Sequence, residues 1–256
     1  AICEYAATKN VNVIVENHGG LSSNGQLLAR VMKEVNMPNC GTLPDFGNFC
    51  VKREGGARWG APCVEEYDRY KGTEEILPWA KGVSAKSYAF DAEGNETTVD
   101  YYKLFEIINN SNFESLLYCS STRVYSGLKT TREDTSLNLD PTNINNLYPI
   151  SKVMGESICL AFDNPKIRIV RLSNVSGFNH TSNLFLPSII RDAVDKKNIT
   201  SSIKLESEKD YVHIDDVVKV LPEIILNGKY RIYNVASGEN TTNQDIITKL
   251  QEITSC

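Results

Sequence analysis

Short apolar runs alternate with amphipathic, helix-period stretches along nearly the whole of this chain, and few folds accommodate that pattern. Strands that are apolar throughout must be buried on both faces, which helices crossing between parallel strands achieve. The pattern predicts a parallel α/β architecture of βα repeats. The expected strands lie at 11–15, 41–44, 82–89, 116–119, 167–171 and 230–235, and the expected helices at 23–35, 99–108, 149–162, 186–195 and 215–226. Residues 1–10 read as a helix feeding the first strand. The 256 residues suffice for one large or two small domains. The one candidate seam is Ile107-Ile108-Asn109-Asn110-Ser111-Asn112, where a helix runs into an Asn-rich turn, so the expected domains are 1–108 and 109–256.

Composition excludes several classes of function. Apolar residues make up 41% and charged residues 23%, which a folded domain with a sizeable core allows. The net charge of −5 comes without a basic stripe, so nucleic acid is not an expected partner. No apolar run approaches the roughly 20 residues that span a bilayer, so no membrane partner is expected. No basic segment followed by an apolar one opens the chain, and a cytoplasmic setting is expected. Seven cysteines, an odd number with no CxxC spacing, read as free thiols in a reducing compartment.

In the first half, polar residues close the expected strands: Val15-Glu16-Asn17-His18-Gly19-Gly20, Leu43-Pro44-Asp45-Phe46-Gly47-Asn48 and Ala85-Lys86-Ser87-Tyr88. Carboxylates and imidazoles at carboxyl strand ends are where a (β/α)8 barrel builds its active site, and their donors suit a divalent ion. The same groups can equally cap the helices that follow. At these motifs, over about residues 1–105, the text resembles the xylose-isomerase-like sugar phosphate isomerase/epimerase family, a TIM barrel that moves protons within a sugar using a divalent metal. The resemblance implies that Glu16 and Asp45 match its first two metal ligands. Ser84 and Lys86 stand where many members place a ligand histidine, and the final ligand glutamate has no counterpart. Catalytic metals generally take three protein ligands, so an incomplete site without tight metal binding is expected, with His18 as a loop hydrogen-bonder.

In the second half, Leu116-Leu117-Tyr118-Cys119-Ser120-Ser121-Thr122 is an apolar strand ending in hydroxyls, and Tyr148-Pro149-Ile150-Ser151-Lys152 opens an amphipathic helix. Residues four apart share a helix face. An ammonium one turn away favours the phenolate of a tyrosine, which suits it to general acid/base work. A serine at the strand end can hydrogen-bond the same substrate oxygen. Over about residues 104–256 the text resembles the extended short-chain dehydrogenase/reductases, specifically NAD-dependent nucleotide-sugar epimerases and dehydratases. The segments around Arg171 to Gly177, Lys209 to Val217 and Tyr233 to Gly238 share in that likeness. The resemblance implies Tyr148 as acid/base, Lys152 at the nicotinamide ribose and Ser121 assisting, with Thr122 the second choice. It places Ser120 and Asn174 with Lys152 on the NAD side. His213 and Asp216 read as loop-fixing and helix-capping groups.

No GxGxxG or GxxGxxG turn follows any strand, although this family holds the NAD pyrophosphate there. Weak NAD binding and little activity are therefore expected, unless a helix start such as residues 19–23 replaces the missing cradle. The expected molecule is a chimera: half a TIM barrel joined to half a Rossmann-like fold. The alternatives are an active nucleotide-sugar epimerase/dehydratase and a metal-dependent sugar isomerase. The expected partner is a nucleotide sugar or a sugar phosphate. Strand edges left open at the break would favour a homo-oligomer.

Overall fold

The computed structural model describes residues 1–86, 88–89, 91–92, 96–177, 184–197, 199 and 204–254. The chain divides into two compact units, Ala1–Glu114 and Ser115–Cys256. Both are mixed α/β assemblies with parallel strands.

Unit 1 runs α1 (Ile2–Ala7), β1 (Val13–Glu16), a 3-10 turn (Gly20–Ser23), α2 (Gly25–Val35), β2 (Cys40–Leu43), β3 (Cys50–Arg53), β4 (Cys63–Glu66), α3 (Arg69–Ile76) and α4 (Tyr101–Asn110). Three helix starts are set by side-chain caps, which satisfy N–H groups that the helix cannot. Asn24 accepts from Leu27, Asp68 from Tyr70 and Lys71, and Asp100 from Lys103. Helix α2 ends where Asn36 turns left-handed at φ 45°. Its Leu28 and Met32, one turn apart, pack against Cys40 and Ile76. Helices α2 and α3 approach so closely that a Cβ on Gly25 would lie 2.6 Å from Gly72 Cα. Strand β1 pairs in parallel with β2, Glu16 opposite Leu43. The strand expected at 82–89 reduces to two single bridges, Thr42 with Ala80 and Asp45 with Ser84. Its physical shortfall is composition: Val83 is the only β-branched residue in a mostly small and polar run. Ser87 lies outside the described residues.

The β3–β4 hairpin was not expected. It is antiparallel, and it brings the Cys50 and Cys63 Cα atoms to 5.8 Å, where they form a disulfide. This corrects the expectation that all the thiols are free. Spacing alone could not reveal the pair, because the antiparallel register, not a CxxC motif, makes them neighbours. The intervening loop turns back through Gly55, Gly56 and Gly60, all at positive φ. Cys3, Cys40, Cys119 and Cys159 are free; Cys256 lies outside the described residues.

Unit 2 runs β5 (Leu116–Ser121), a 3-10 turn (Thr122–Tyr125), α5 (Leu147–Ala161), β6 (Ile167–Leu172), β7 (Asn174–Ser176), α6 (Phe185–Arg191), β8 (Glu208–His213), α7 (Ile214–Asn227), β9 (Ile232–Val235), β10 (Asn240–Thr242) and α8 (Asn243–Thr254). Strands β5, β6 and β9 form one parallel sheet in that order. A second sheet has the order β10-β8-β7, with β8 parallel to β7 and antiparallel to β10. Strand β6 is central, and its Ile167, Ile169 and Val170 are fully buried, although Arg168 and Arg171 interrupt the apolar run. Val217 and Ile224, two turns apart on α7, complete this core with Val212 and Val235. Truncating such a residue to alanine costs about 2–5 kcal/mol. Among the described residues no helix is long and apolar enough to cross a membrane.

Candidate active site

Helix α5 carries the tyrosine and lysine that the sequence singles out. Pro149 sits in its first turn, where the missing N–H costs no helical hydrogen bond. The helix lies tight against β5: a Cβ on Gly155 would come 2.3 Å from the Tyr118 hydroxyl, so any larger residue there would displace the Tyr118 ring. Tyr118 in turn donates to the Lys152 carbonyl at 3.4 Å. Tyr148 is 45% exposed in the first turn. The Arg123 guanidinium lies 5.3 Å from its ring centre and the Lys152 ammonium 5.7 Å, so two cations flank the phenol. Lys152 Nζ donates to the Cys119 carbonyl at 3.1 Å. An ammonium has three donors, and among the described residues the other two have no protein acceptor.

The two strand-end serines part company. Ser120 is buried and its hydroxyl donates to Glu156 Oε1. Ser121 caps the turn that follows, accepting from Arg123 N at 3.2 Å. No hydrogen bond joins Ser121 to Tyr148 among the described residues. Thr122 opens that same turn. Asn174 donates its amide to the Asp210 carbonyl at 2.8 Å and so ties β7 to β8. His213 caps α7, with Nδ1 accepting from Asp215 N at 3.2 Å, while Asp216 lies 3.5 Å from Lys219.

The network behind this helix was not expected. Arg171 grips Glu156 with two hydrogen bonds and donates to Tyr125 at 2.6 Å, and Tyr125 donates to Asn234 at 2.9 Å. Strands β6 and β9 and the turn after β5 are thereby fixed around the base of α5. A buried carboxylate four residues after the lysine was the available signal.

In unit 1, the strand-end residues do converge. Glu16 Oε1 lies 3.1 Å from His18 Nδ1 and accepts from Asn48 Nδ2 at 3.2 Å. Buried Asn17 staples β1 to the turn after β2, donating to the Asp45 carbonyl and accepting from Asp45 N. Asp45 is 1% exposed and both its oxygens are engaged: Oδ1 by Gly47 N and Asn48 N, Oδ2 by Ser84 at 2.9 Å. The Lys86 ammonium stands 4.0 Å from Oδ2. Among the described residues no three His, Cys, Asp or Glu side chains gather in a way that could hold a metal.

Two elements were expected to hold NAD, one in each unit. The Lys152 ammonium, with two donors to spare beside an exposed phenol, fits a ribose diol. The Gly19–Gly20 turn fits a pyrophosphate poorly. The N–H groups of His18 and Gly19 are already taken by the Ser22 and Ser23 hydroxyls, at 3.1 and 2.8 Å.

Comparison with known proteins gives these groups a context. The model of the NAD dependent epimerase/dehydratase family matches residues 63–236. The dTDP-D-glucose 4,6-dehydratase of Dictyostelium discoideum is 26% identical over 163 residues, covering 59% of this chain and 37% of that protein. The chain therefore spans little more than a third of that curated relative. Among solved structures, the NAD dependent-NDP-hexosamine 5,6-dehydratase TunA aligns with TM-score 0.60 at 20% identity, over 95% of this chain and 82% of that one. UDP-N-acetylglucosamine 4-epimerase from Methanobrevibacter ruminantium, solved with UDP-N-acetylmuramic acid, aligns at 0.60 and 17%, over 96% and 83%. The Bacillus anthracis dTDP-glucose 4,6-dehydratase, solved with NAD, aligns at 0.54 and 15%, over 96% and 81%. At such identities these structures show the fold. The expected barrel half, and with it the chimera, finds no support in these matches.

Proposed function

The chain belongs to the NAD dependent epimerase/dehydratase family, and on that premise we propose that it acts on a nucleotide sugar with Tyr148 as acid/base. The observation that carries this reading is the placement of Tyr148 and Lys152 on one face of α5, the phenol exposed and flanked by two cations. Tyr148 takes the proton of a sugar hydroxyl and later returns it. Lys152 holds a ribose diol with the donors that Cys119 leaves over. Ser121 orients the reacting oxygen from the end of β5. Ser120 supports α5 through Glu156, and Asn174 shapes the wall beside β8. NAD, when bound, supplies the hydride acceptor that makes the sugar carbon acidic or invertible.

The occupied amides at Gly19 and the absence of a GxGxxG turn favour a loosely held cofactor. We place the chain in the cytoplasm, where the Cys50–Cys63 pair would pass between thiols and disulfide. An NADH fluorescence titration tests the reading. Saturable binding is expected in wild type and in Tyr148→Phe, and much weaker binding in Lys152→Ala. Equal affinity in all three would refute the role given to Lys152.

A second reading, a sugar isomerase site in unit 1, is favoured by the convergence of Glu16, His18, Asp45 and Asn48. The Lys86 ammonium beside an already saturated Asp45 weighs against a metal there. Manganese calorimetry showing micromolar affinity, lost in Asp45→Ala, would restore it.

A further inference from the structure

Unit 1 contains a cavity of about 440 Å³ at its carboxyl strand ends, built by groups that the Tyr148–Lys152 chemistry does not use. Three cations line it, Arg53, Arg69 and Lys86, together with the rings of Trp59 and Tyr88. Its carboxylate, Glu66, is already bound to Arg69 at 2.6 Å. The Arg69 side chain is 14% exposed, and its Nη1 is buried with no hydrogen-bond partner among the described residues. A buried guanidinium nitrogen left unpaired is costly; it is closed to solvent, so an acceptor in the cavity relieves it only if the wall beside Arg69 shifts. Oxyanions of the phosphate type match an array of guanidinium and ammonium donors.

Both cysteines of the Cys50–Cys63 disulfide also line this cavity. Besides the cross-link, the hairpin is held by a short ladder, by Glu54 N donating to the Pro62 carbonyl at 3.0 Å and by Arg53 Nη1 donating to the Ala61 carbonyl at 2.7 Å. Strand β4 is exposed at all four residues, and the β3–β4 register shifts twice within four residues. Arg53 ends β3, and Trp59 lies in the loop between the strands, so two cavity walls depend on the cross-link.

We propose that this cavity is a phosphate-type oxyanion site whose affinity is set by the Cys50–Cys63 disulfide. A dithiol reductant opens it in two steps. One reductant thiolate attacks a sulfur, forming a mixed disulfide and releasing the other cysteine. The second reductant thiol then attacks the mixed disulfide, releases the cysteine still held in it, and the reductant leaves as its cyclic disulfide. Two electrons and two protons thereby reach Cys50 and Cys63. Freed, the hairpin lets Arg53 and Trp59 move away, and the preorganised charge is lost.

The test uses the full chain with Trp79→Phe, so that fluorescence reports Trp59. Inorganic phosphate is titrated at constant ionic strength with chloride as control. The oxidised protein is expected to respond saturably, with a Kd on the order of millimolar. Dithiothreitol should weaken binding about tenfold, and reoxidation should restore it, which separates gating from unfolding. The Cys50→Ser/Cys63→Ser variant should bind weakly whether or not dithiothreitol is present. With the disulfide intact, Arg69→Gln should also bind weakly. No phosphate response beyond that of chloride in the oxidised protein, or undiminished affinity in Arg69→Gln, overturns the site. Equal affinity before and after reduction overturns the gating.

Discussion

Arg171 and Glu156 meet in a two-pronged ion pair, Nη2 to Oε2 at 2.7 Å and Nε to Oε1 at 3.0 Å, with each side chain 4% exposed. Glu156 stands one turn beyond Lys152 on α5, and Arg171 lies on β6, so this pair fixes the helix that carries the candidate acid/base over the sheet. Removing one partner strands a buried charge. Glu156→Ala should lose about 3–5 kcal/mol in urea unfolding. The double replacement Glu156→Leu with Arg171→Met should recover most of it, because it buries no charge. A single-variant loss within experimental error would mean that the pair does not set the helix.

Asp210 makes stability depend on acid. Burial works against its charge, yet hydrogen bonds hold its carboxyl below the usual range. Ser237 donates through N at 3.0 Å and Oγ at 2.7 Å, and Gly238 N donates at 2.7 Å. A carboxyl depressed on folding contributes stability that is fully present above its unfolded value, about 3.9. That contribution is lost as pH falls from there through the lower folded value. Thermal unfolding followed from neutral pH down should show Tm dropping below about pH 4. Asp210→Asn should start with a lower Tm and show a shallower acid slope. Parallel curves for the two proteins would contradict this assignment.

Cysteine labelling separates the thiols by environment. Burial pushes the Cys159 thiol up to about 12, with Arg231 opposing. Burial also raises the Cys119 thiol, with Lys152 opposing. Thiolate is the reactive form. Iodoacetamide at mildly alkaline pH should therefore label Cys159 last among the four described free cysteines. Cys50 and Cys63 should take up label only after reduction. Peptide mass mapping over a time course checks both statements, and early labelling of Cys159 would mean that its site opens readily.

What the sequence made legible follows from which forces act locally. The β6 core reads from Ile167, Ile169 and Val170, three β-branched apolar residues within four positions, a local signal for a buried strand even with Arg168 among them. Helix α5 reads from Tyr148, Pro149 and Lys152, because a proline in the first turn and side chains four apart are local signals. The split between Ser120 and Ser121 does not read from sequence. Adjacent strand residues face opposite sides, and only the packed helix shows that Ser120 meets Glu156. The β3–β4 hairpin escaped because Cys-Val-Lys-Arg and Cys-Val-Glu-Glu carry no clear apolar alternation. Strand β8 reads as a motif, and becomes a strand only through its pairing with β7 and β10.

The sharpest functional prediction separates proton transfer from cofactor holding. Tyr148→Phe deletes one oxygen and keeps the ring beside Arg123 and Lys152, so packing and the ribose contact should survive. At saturating NAD, a nucleotide-sugar substrate should be converted by wild type, with product followed by chromatography. Tyr148→Phe should slow that conversion by about 10²–10⁴-fold, the usual worth of a positioned acid/base, while its NADH affinity stays near wild type. Lys152→Ala should lose both affinity and rate, because the ammonium serves the ribose and flanks the phenol. Ser121→Ala should cost less than either, because it removes a hydrogen bond to the reacting oxygen and no proton carrier. Raising NAD concentration should partly rescue Lys152→Ala and leave Tyr148→Phe unchanged. A Tyr148→Phe protein that turns over at the wild-type rate would remove the tyrosine from the chemistry. A wild-type protein that fails to convert any nucleotide sugar tried at saturating NAD would remove the activity itself.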